Sequence, residues 1–324
     1  MNPTSAATPG WSGLLRCPRC RADAPDQGCA CGFRFETSQG VLQALAAEGP
    51  AGRGAEVAAF YDRRPFPGYG PDDDATTLLD RVGRAPFLRA LDAAAPTEGP
   101  VLDAGCGTGQ TAACLALLAA RRATVGLDLS EGALAEAARF RDRARLGNLA
   151  LVRGDLLRAP FREGSFPFVV SRGVVHHAAD PWAALDAVAK LVAPGGLLVL
   201  GYYDRAARAF HTARVAWARR RGRPWERLDP ILRRRDLAPA KRDAWIADQY
   251  EHPVESRLAL KDVAAALRRA GFRWVRSVPP AGSLDAPKPP PEGLRRFALE
   301  LGWFLRGFVD PDAGLVAVVA RRAR

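Results

Sequence analysis

Three acids and three glycines are spaced in this sequence so that one small ligand could touch all of them. In VLDAGCGTGQ, residues 101–110, Asp103 stands two residues before a run that contains Gly105, Cys106, Gly107 and Gly109. A glycine-rich turn between a strand and a helix lets a ligand approach main-chain N–H groups with no side chain in the way. The spacing is G-x-G-x-G, not G-x-G-x-x-G or GxxxxGK[ST], and no Lys follows Gly109, so the residues give phosphate cradling little support. Asp103 would repel a pyrophosphate but welcome an ammonium group. Asp128 closes VGLDL 25 residues later, the distance at which a βαβ unit returns a carboxylate to a ribose. Asp155, in VRGDLLRAPF, ends a third strand, where a carboxylate can accept from the exocyclic amine of an adenine. The competing reading of each acid is a helix N-cap or a loop carboxylate. Cys106 reads as a small buried residue in a tight turn, or as a redox thiol.

Two further groups carry chemistry. His176 and His177 follow the fourth expected strand, where an imidazole could act as a base near neutral pH or could simply shape a pocket. Cys17-x2-Cys20 and Cys29-x-Cys31 place four thiols within 15 positions. Four sulfurs suit a tetrahedral zinc that holds a small segment together, and four thiolates leave no open position for a substrate. LLRCPRC and CACGFRF thus look like a zinc ribbon, with C-x-C in the second pair where C-x2-C is usual. Four free thiols are the alternative.

The elements that must position these groups follow a plain rhythm. PVLDAG, ATVGLDL and LALVRGD read as strands, separated by helices TAACLALLAARR and EGALAEAARFRDRA. FPFVVSRGV, helix PWAALDAVAKLVA and strand GGLLVLGYY follow. Alternating strands and helices imply a parallel sheet covered on both faces. Before it stand a helix from about residue 55, the loop RRPFPGYGPDDD and a helix over roughly 75–94. The expected organisation is a ribbon-like segment at 12–45, a linker at 46–54 and one domain over 55–324 with insertions at about 204–257 and 280–311. Tyr61, Phe66 and Tyr69 could cap a ligand from above or pack in the core. Tyr250, Glu251 and His252, after a long helical insert, are the expected lining of an acceptor site.

With 324 residues, 48% apolar and 25% charged, the composition is that of a globular protein. No apolar run approaches the roughly 20 residues that cross a bilayer, so no membrane span is expected. MNPTSAATPGW lacks a basic patch and an apolar run, and a cytoplasmic location is the expectation. The net charge of +12 is almost all Arg, with Lys only at 190, 241, 261 and 288. It concentrates in residues 205–242, either as a solvated helical face or as a surface for anions such as nucleic acid.

VLDAGCGTGQ, GLDLS, GDLLRAPF, SRGVVHHAADP and LVAPGGLLVLGYY, in that order and spacing, resemble the class I S-adenosylmethionine-dependent methyltransferases over about residues 55–205 and the last strands. The resemblance implies a Rossmann-like α/β fold with a seven-stranded sheet ordered 3-2-1-4-5-7-6, the last strand antiparallel. It implies S-adenosylmethionine as cofactor, its methionine end over the glycine loop, its ribose on Asp128 and its adenine on Asp155 between Leu129 and Leu156. Ser171 and Arg172 at the fourth strand's end would touch it too. The His-containing loop looks more like that of enzymes methylating small metabolites. Ribosomal RNA methyltransferases with an N-terminal four-cysteine module are the alternative, and a non-catalytic cofactor-binding module is the third. The acceptor atom and the oligomeric state are not encoded in these residues.

Overall fold

A computed structural model describes residues 10–24, 28–46, 49, 52–70, 72–221, 229, 231–234, 239–278, 288–307 and 314–324. Residues 47–48 and 50–51 of the expected linker lie outside the described residues, as do 222–228, 230, 235–238, 280–287 and 308–311 of the two expected insertions.

In chain order the elements are β1 (Glu36–Ser38), β2 (Val41–Gln43), α1 (Arg53–Arg63), α2 (Ala75–Arg84), α3 (Pro86–Ala94), β3 (Gly99–Ala104), α4 (Gln110–Leu118), β4 (Arg122–Asp128), α5 (Glu131–Arg143), β5 (Leu149–Arg153), β6 (Phe166–Arg172), α6 (Pro181–Leu191) and β7 (Val192–Tyr203). Then come α7 (Ala209–Arg221), α8 (Pro239–Ile246), a π-helical turn at Ala247–Glu251, α9 (Leu260–Arg269), β8 (Phe272–Val278), α10 (Gly293–Arg306) and β9 (Leu315–Arg322). The helix expected over 75–94 is two helices, because Pro86 takes the first position of α3 and holds Ala85 extended.

The sheet runs β1-β2-β5-β4-β3-β6-β7-β9-β8. From β5 onward this is the expected order, with β9 antiparallel to both β7 and β8. The strand count is nine where seven were expected, because the cysteine-bearing segment adds two of its own. Its hairpin β1–β2 lays β2 parallel against β5, with Leu42 opposite Val152. A second seam pairs Leu15 with Phe161, through Arg16 N–H to Pro160 O at 2.9 Å and Arg162 N–H to Leu14 O at 2.9 Å. Leu15, Cys17, Phe35 and Leu42 are consequently buried in the same core as Leu102, Val125 and Val152 of the central strands. On the other face Leu149 and Leu151 pack against Leu78, Val82, Ala113, Leu134 and Phe140 of α2, α4 and α5. Val101 and Leu102 point to opposite faces and both are fully buried, as a doubly covered sheet requires.

Candidate functional site

The carboxyl ends of β3, β4 and β5 open into a cavity of about 740 Å³, lined by Asp103, Gly105, Cys106, Gly107, Asp128, Leu129, Asp155 and Leu156 among others. The glycine turn is bent onto β4 by Gly105 and Cys106, whose N–H groups both donate to Leu127 O, at 2.7 and 3.0 Å. Gly107 N–H donates to Asp128 Oδ2 at 2.7 Å, and Ser130 N–H to Asp128 Oδ1 at 2.9 Å. Gly107 has φ +53°, and a Cβ there would stand 2.7 Å from Phe66 O, so the backbone passes where no side chain fits. Gly109 is not on the cavity wall. At φ +75° it starts α4, and a Cβ would come 3.0 Å from Ala137, so its place is the close approach of α4 to α5.

Asp103 is buried, and its Oδ2 has no hydrogen-bond partner among the described residues. Desolvation, with the charge of Asp128 adding to it, pushes its carboxyl up to about 7. A buried carboxylate with a vacant oxygen at a cavity wall is relieved by a cation. Burial likewise raises Asp128. Asp155 Oδ1 accepts from Leu157 N–H at 2.9 Å, capping the short turn that presents Leu156 and Leu157 to the cavity. The N-cap reading of this acid and its place on the cavity wall thus hold together.

Above the loop, α1 presents Gly54, Val57, Ala58 and Tyr61 to the cavity, an i, i+3, i+4, i+7 stripe. It is pinned from beneath by Asp62, which accepts from Ser130 Oγ at 2.8 Å and Gly132 N–H at 3.1 Å. Phe66 lines the cavity, whereas Tyr69 stacks on Phe140 at 4.2 Å and belongs to the core. Arg172 is on the wall, its guanidinium over Phe87. Ser171, one residue earlier on the strand, faces the other way. It is fully buried and its Oγ donates to Ala104 O at 2.8 Å, tying β6 to β3.

The two histidines divide in the same manner. His177 is on the wall, and its Nδ1 pairs with Val254 O at 2.9 Å. A carbonyl can only accept, so Nδ1 carries the proton and Nε2 keeps its lone pair. Burial lowers His177 to about 4, which leaves it neutral at pH 7. His176 is fully buried and absent from the wall. Its Nδ1 accepts from Tyr203 N–H at 3.3 Å and its ring lies on Tyr203 at 3.9 Å, a packing role.

Opposite α1, the π-helical turn carries Asp248 and Gln249 to the wall, while Tyr250 turns away to Asp229 at 2.5 Å and Glu251 to Arg64 at 2.5 Å. His252 sits behind His177, ring centroids 3.8 Å apart. Of Tyr250, Glu251 and His252, read from the sequence as lining, none is on the cavity wall, whereas Asp248 and Gln249, two residues earlier, are. An i→i+5 turn inserts an extra residue and changes which side chains face inward. Gln249 links the wall together: its Nε2 donates to Asp248 Oδ2 at 2.7 Å and Tyr203 OH at 2.8 Å, and its Oε1 accepts from Arg208 Nη1 at 2.6 Å. Arg208 in turn lies 3.8 Å from the Tyr203 ring centroid and bonds Glu255 at 2.8 Å. Tyr203 and Arg208 were missed in the sequence; the only signal was their place at and just past the end of β7.

The four N-terminal cysteines converge, all four Sγ atoms lying within 4.8 Å of one another. Cys17 to Cys31 is 3.6 Å and Cys20 to Cys29 is 3.2 Å. Four ligands at about 2.3 Å from a tetrahedral zinc stand about 3.8 Å apart, so the donor set fits that ion. Gly32 at φ +86° returns its N–H to Cys29 O at 2.9 Å, which closes the short C-x-C turn. The amide of Ala22 is the main cause that draws Cys20 down to about 7.

Residues 102–200 match the family described as a methyltransferase domain. A demethylmenaquinone methyltransferase of Beutenbergia cavernae is 32% identical over 68% of this chain and 84% of its own. That of Clavibacter sepedonicus is 31% identical over 72% and 91%. An uncharacterised protein of Synechococcus is 31% identical over 61% of this chain, which spans only 54% of that protein's length. The strand order, the glycine turn bonded to the acid of the neighbouring strand, and likeness over most of two relatives' lengths lead to one family: the chain belongs to the class I S-adenosylmethionine-dependent methyltransferases.

Proposed function

We propose that the protein transfers a methyl group from S-adenosylmethionine to a small-molecule acceptor by direct in-line displacement. The observation that carries this is Asp103, a buried carboxylate with an unpartnered oxygen, in one continuous cavity with His177. When bound, S-adenosylmethionine supplies a methyl group already activated on a sulfonium. Asp103 would hold its ammonium group, Asp128 its ribose hydroxyls, and Asp155 with Leu129 and Leu156 its adenine. Gly105, Cys106 and Gly107 would leave room for the methionine end, with Arg172 on the opposite side. His177 Nε2 would take the acceptor's proton as the nucleophile attacks, and α1 would keep water out.

The acceptor reading rests on the wall and on the relatives. Leu78, Phe87, Leu88, Leu157, Ile231 and Trp245 make much of the lining apolar. Tyr61 OH reaches Asp248 at 2.9 Å and Arg64 reaches Glu251, joining α1 to the insertion above the cavity, a closure suited to a molecule that fits inside rather than to a polymer. Two bacterial relatives aligned over most of their length are named for demethylmenaquinone. We further propose that Cys17, Cys20, Cys29 and Cys31 hold a structural zinc.

The test is binding followed by transfer. Calorimetry should show S-adenosylhomocysteine bound by the wild type and weakened about 10- to 100-fold by Asp103→Asn, the range for a lost charged hydrogen bond. With methyl-labelled cofactor and a cell extract, label should appear in the low-mass, organic-soluble fraction. His177→Ala should cut turnover about 100-fold or more while cofactor affinity stays. Label that disappears on nuclease treatment would reverse the choice of acceptor.

A further inference from the structure

The helix α10 (Gly293–Arg306) is anchored on one side and bare on the other. Trp303 is buried in the main core and Leu299 packs against it. The opposite side carries Leu294, Phe297, Leu301 and Leu305, which are 81, 60, 44 and 56% exposed. These fall at i, i+3, i+7 and i+11, so they form one continuous stripe of four large apolar groups along the helix, with exposed Ala298 and Gly302 between them. Single exposed leucines are ordinary on a protein surface, but a stripe confined to one face of one helix needs a partner.

Charge selects that partner. Arg295 and Arg306 are exposed at the two ends of the same flank, and exposed Lys288 precedes the helix. The helix has one acid, Glu300, which lies near Arg296 at 3.8 Å. A second copy of α10 packed antiparallel across the stripe would set Arg295 against Arg306 of its mate at both ends, with no free carboxylate on the helix to offset them. A surface that is apolar inside and anionic outside meets both halves of the face.

We propose that α10 is an interfacial helix that seats this protein on an anionic lipid bilayer, with Leu294, Phe297, Leu301 and Leu305 in the acyl boundary and Arg295 and Arg306 at the headgroup phosphates. The C-terminal end of α10 lies against α7, where a Cβ on Gly307 would be 3.4 Å from Phe210 Cβ and 3.5 Å from Ala207 O. Arg208, between those two residues, is on the cavity wall. Docking through α10 thus brings the lipid surface within a few residues of the wall residue Arg208. The inference stands on α10 itself and not on the chemistry of the cavity.

The test uses the full chain with sedimenting vesicles of phosphatidylcholine alone and of phosphatidylcholine with a quarter phosphatidylglycerol, near 0.1 M salt. The wild type should partition onto the anionic vesicles. Phe297→Ser with Leu301→Ser, both at exposed positions, should lower that partition at least about tenfold without changing the circular dichroism or the melting temperature. Arg295→Glu with Arg306→Glu should lower it by a similar factor. No binding to anionic vesicles overturns the proposal. So does binding that the serine variant leaves unchanged, since the overall positive charge would then suffice. So does a wild-type dimer in sedimentation equilibrium that the serine variant dissociates.

Discussion

Burial brings the titration of the Asp103 carboxyl close to neutral pH, and that sets a pH dependence for cofactor binding. Its carboxyl, raised to about 7 by burial first and the neighbouring Asp128 second, is protonated in much of the free protein at pH 6. Binding an ammonium group requires the ionised form, so protonation competes with the ligand. Affinity should rise about fivefold from pH 6 to pH 7 and less than about twofold more above, until the ligand's own α-amino group loses its proton near pH 8. Calorimetry across this range measures it, and Asp103→Asn should remove the acid limb. At this scale the glycine turn and the acids were legible in the sequence, because a strand end, a tight turn and a helix start are local. Tyr203, Arg208, Asp248 and Gln249 were not, because Gln249 meets the others only through a helix with one residue too many per turn, which sequence periodicity cannot announce. Ser171 and His176 show the converse: each is adjacent to a wall residue, and alternation along a strand or a turn sends one inward and its neighbour away.

The cysteine-bearing segment acts as an element of the main sheet. It grips the chain on both sides of Asp155, through β2 on β5 before it and Leu15 on Phe161 after it, while Arg21 donates to Ala159 O at 2.8 Å. Leu15, Phe35 and Leu42 each contribute about 1.5–3 kcal/mol by burial, and the proposed zinc would hold the knuckles that keep them in place. Stripping metal with a strong chelator should lower the melting temperature by about 10 °C, at roughly 2 °C per kcal/mol, and weaken cofactor binding as the Asp155 turn loosens. Scanning calorimetry with metal analysis before and after checks both; an unchanged melting temperature after complete metal removal would reject the structural role. The knuckles were plain in the sequence but the hairpin was not. Gln39 and Gly40 both have positive φ, at 49° and 73°, which makes a two-residue reverse turn without the Asn-Gly or Asp-Gly pair that usually marks one. Strands of three residues give no periodicity to read.

Over the whole molecule, buried acids and buried histidines work against each other as pH falls. His177 and His252 are lowered to about 4 by burial, and His176 and His211 further still, so below pH 6.5 the unfolded chain binds more protons at these four sites and stability drops. Asp103 at about 7 and Asp204 at about 6 are raised, so between pH 7 and 4 the folded chain binds more protons there and stability rises. Between pH 7 and pH 5 the four histidines outweigh Asp103 and Asp204, and the wild type should lose stability. Asp103→Asn removes one proton uptake on the favourable side, so its stability should fall more steeply over that range, by about 1.4 kcal/mol per pH unit relative to wild type. Urea denaturation at the two pH values tests the sign as well as the size. The order of the parallel set could be anticipated from alternating strands and helices, whereas the ninefold strand count could not, since it depends on one segment finding an edge far along the chain.

One consequence follows from the contacts Tyr61–Asp248 and Arg64–Glu251, which bridge two stretches of chain separated by 187 positions. One stretch precedes β3 and the other lies in the insertion after β7, so neither belongs to the sheet or to the glycine turn. Changing Tyr61, Arg64, Asp248 or Glu251 would therefore alter this bridge without touching the acids at the strand ends.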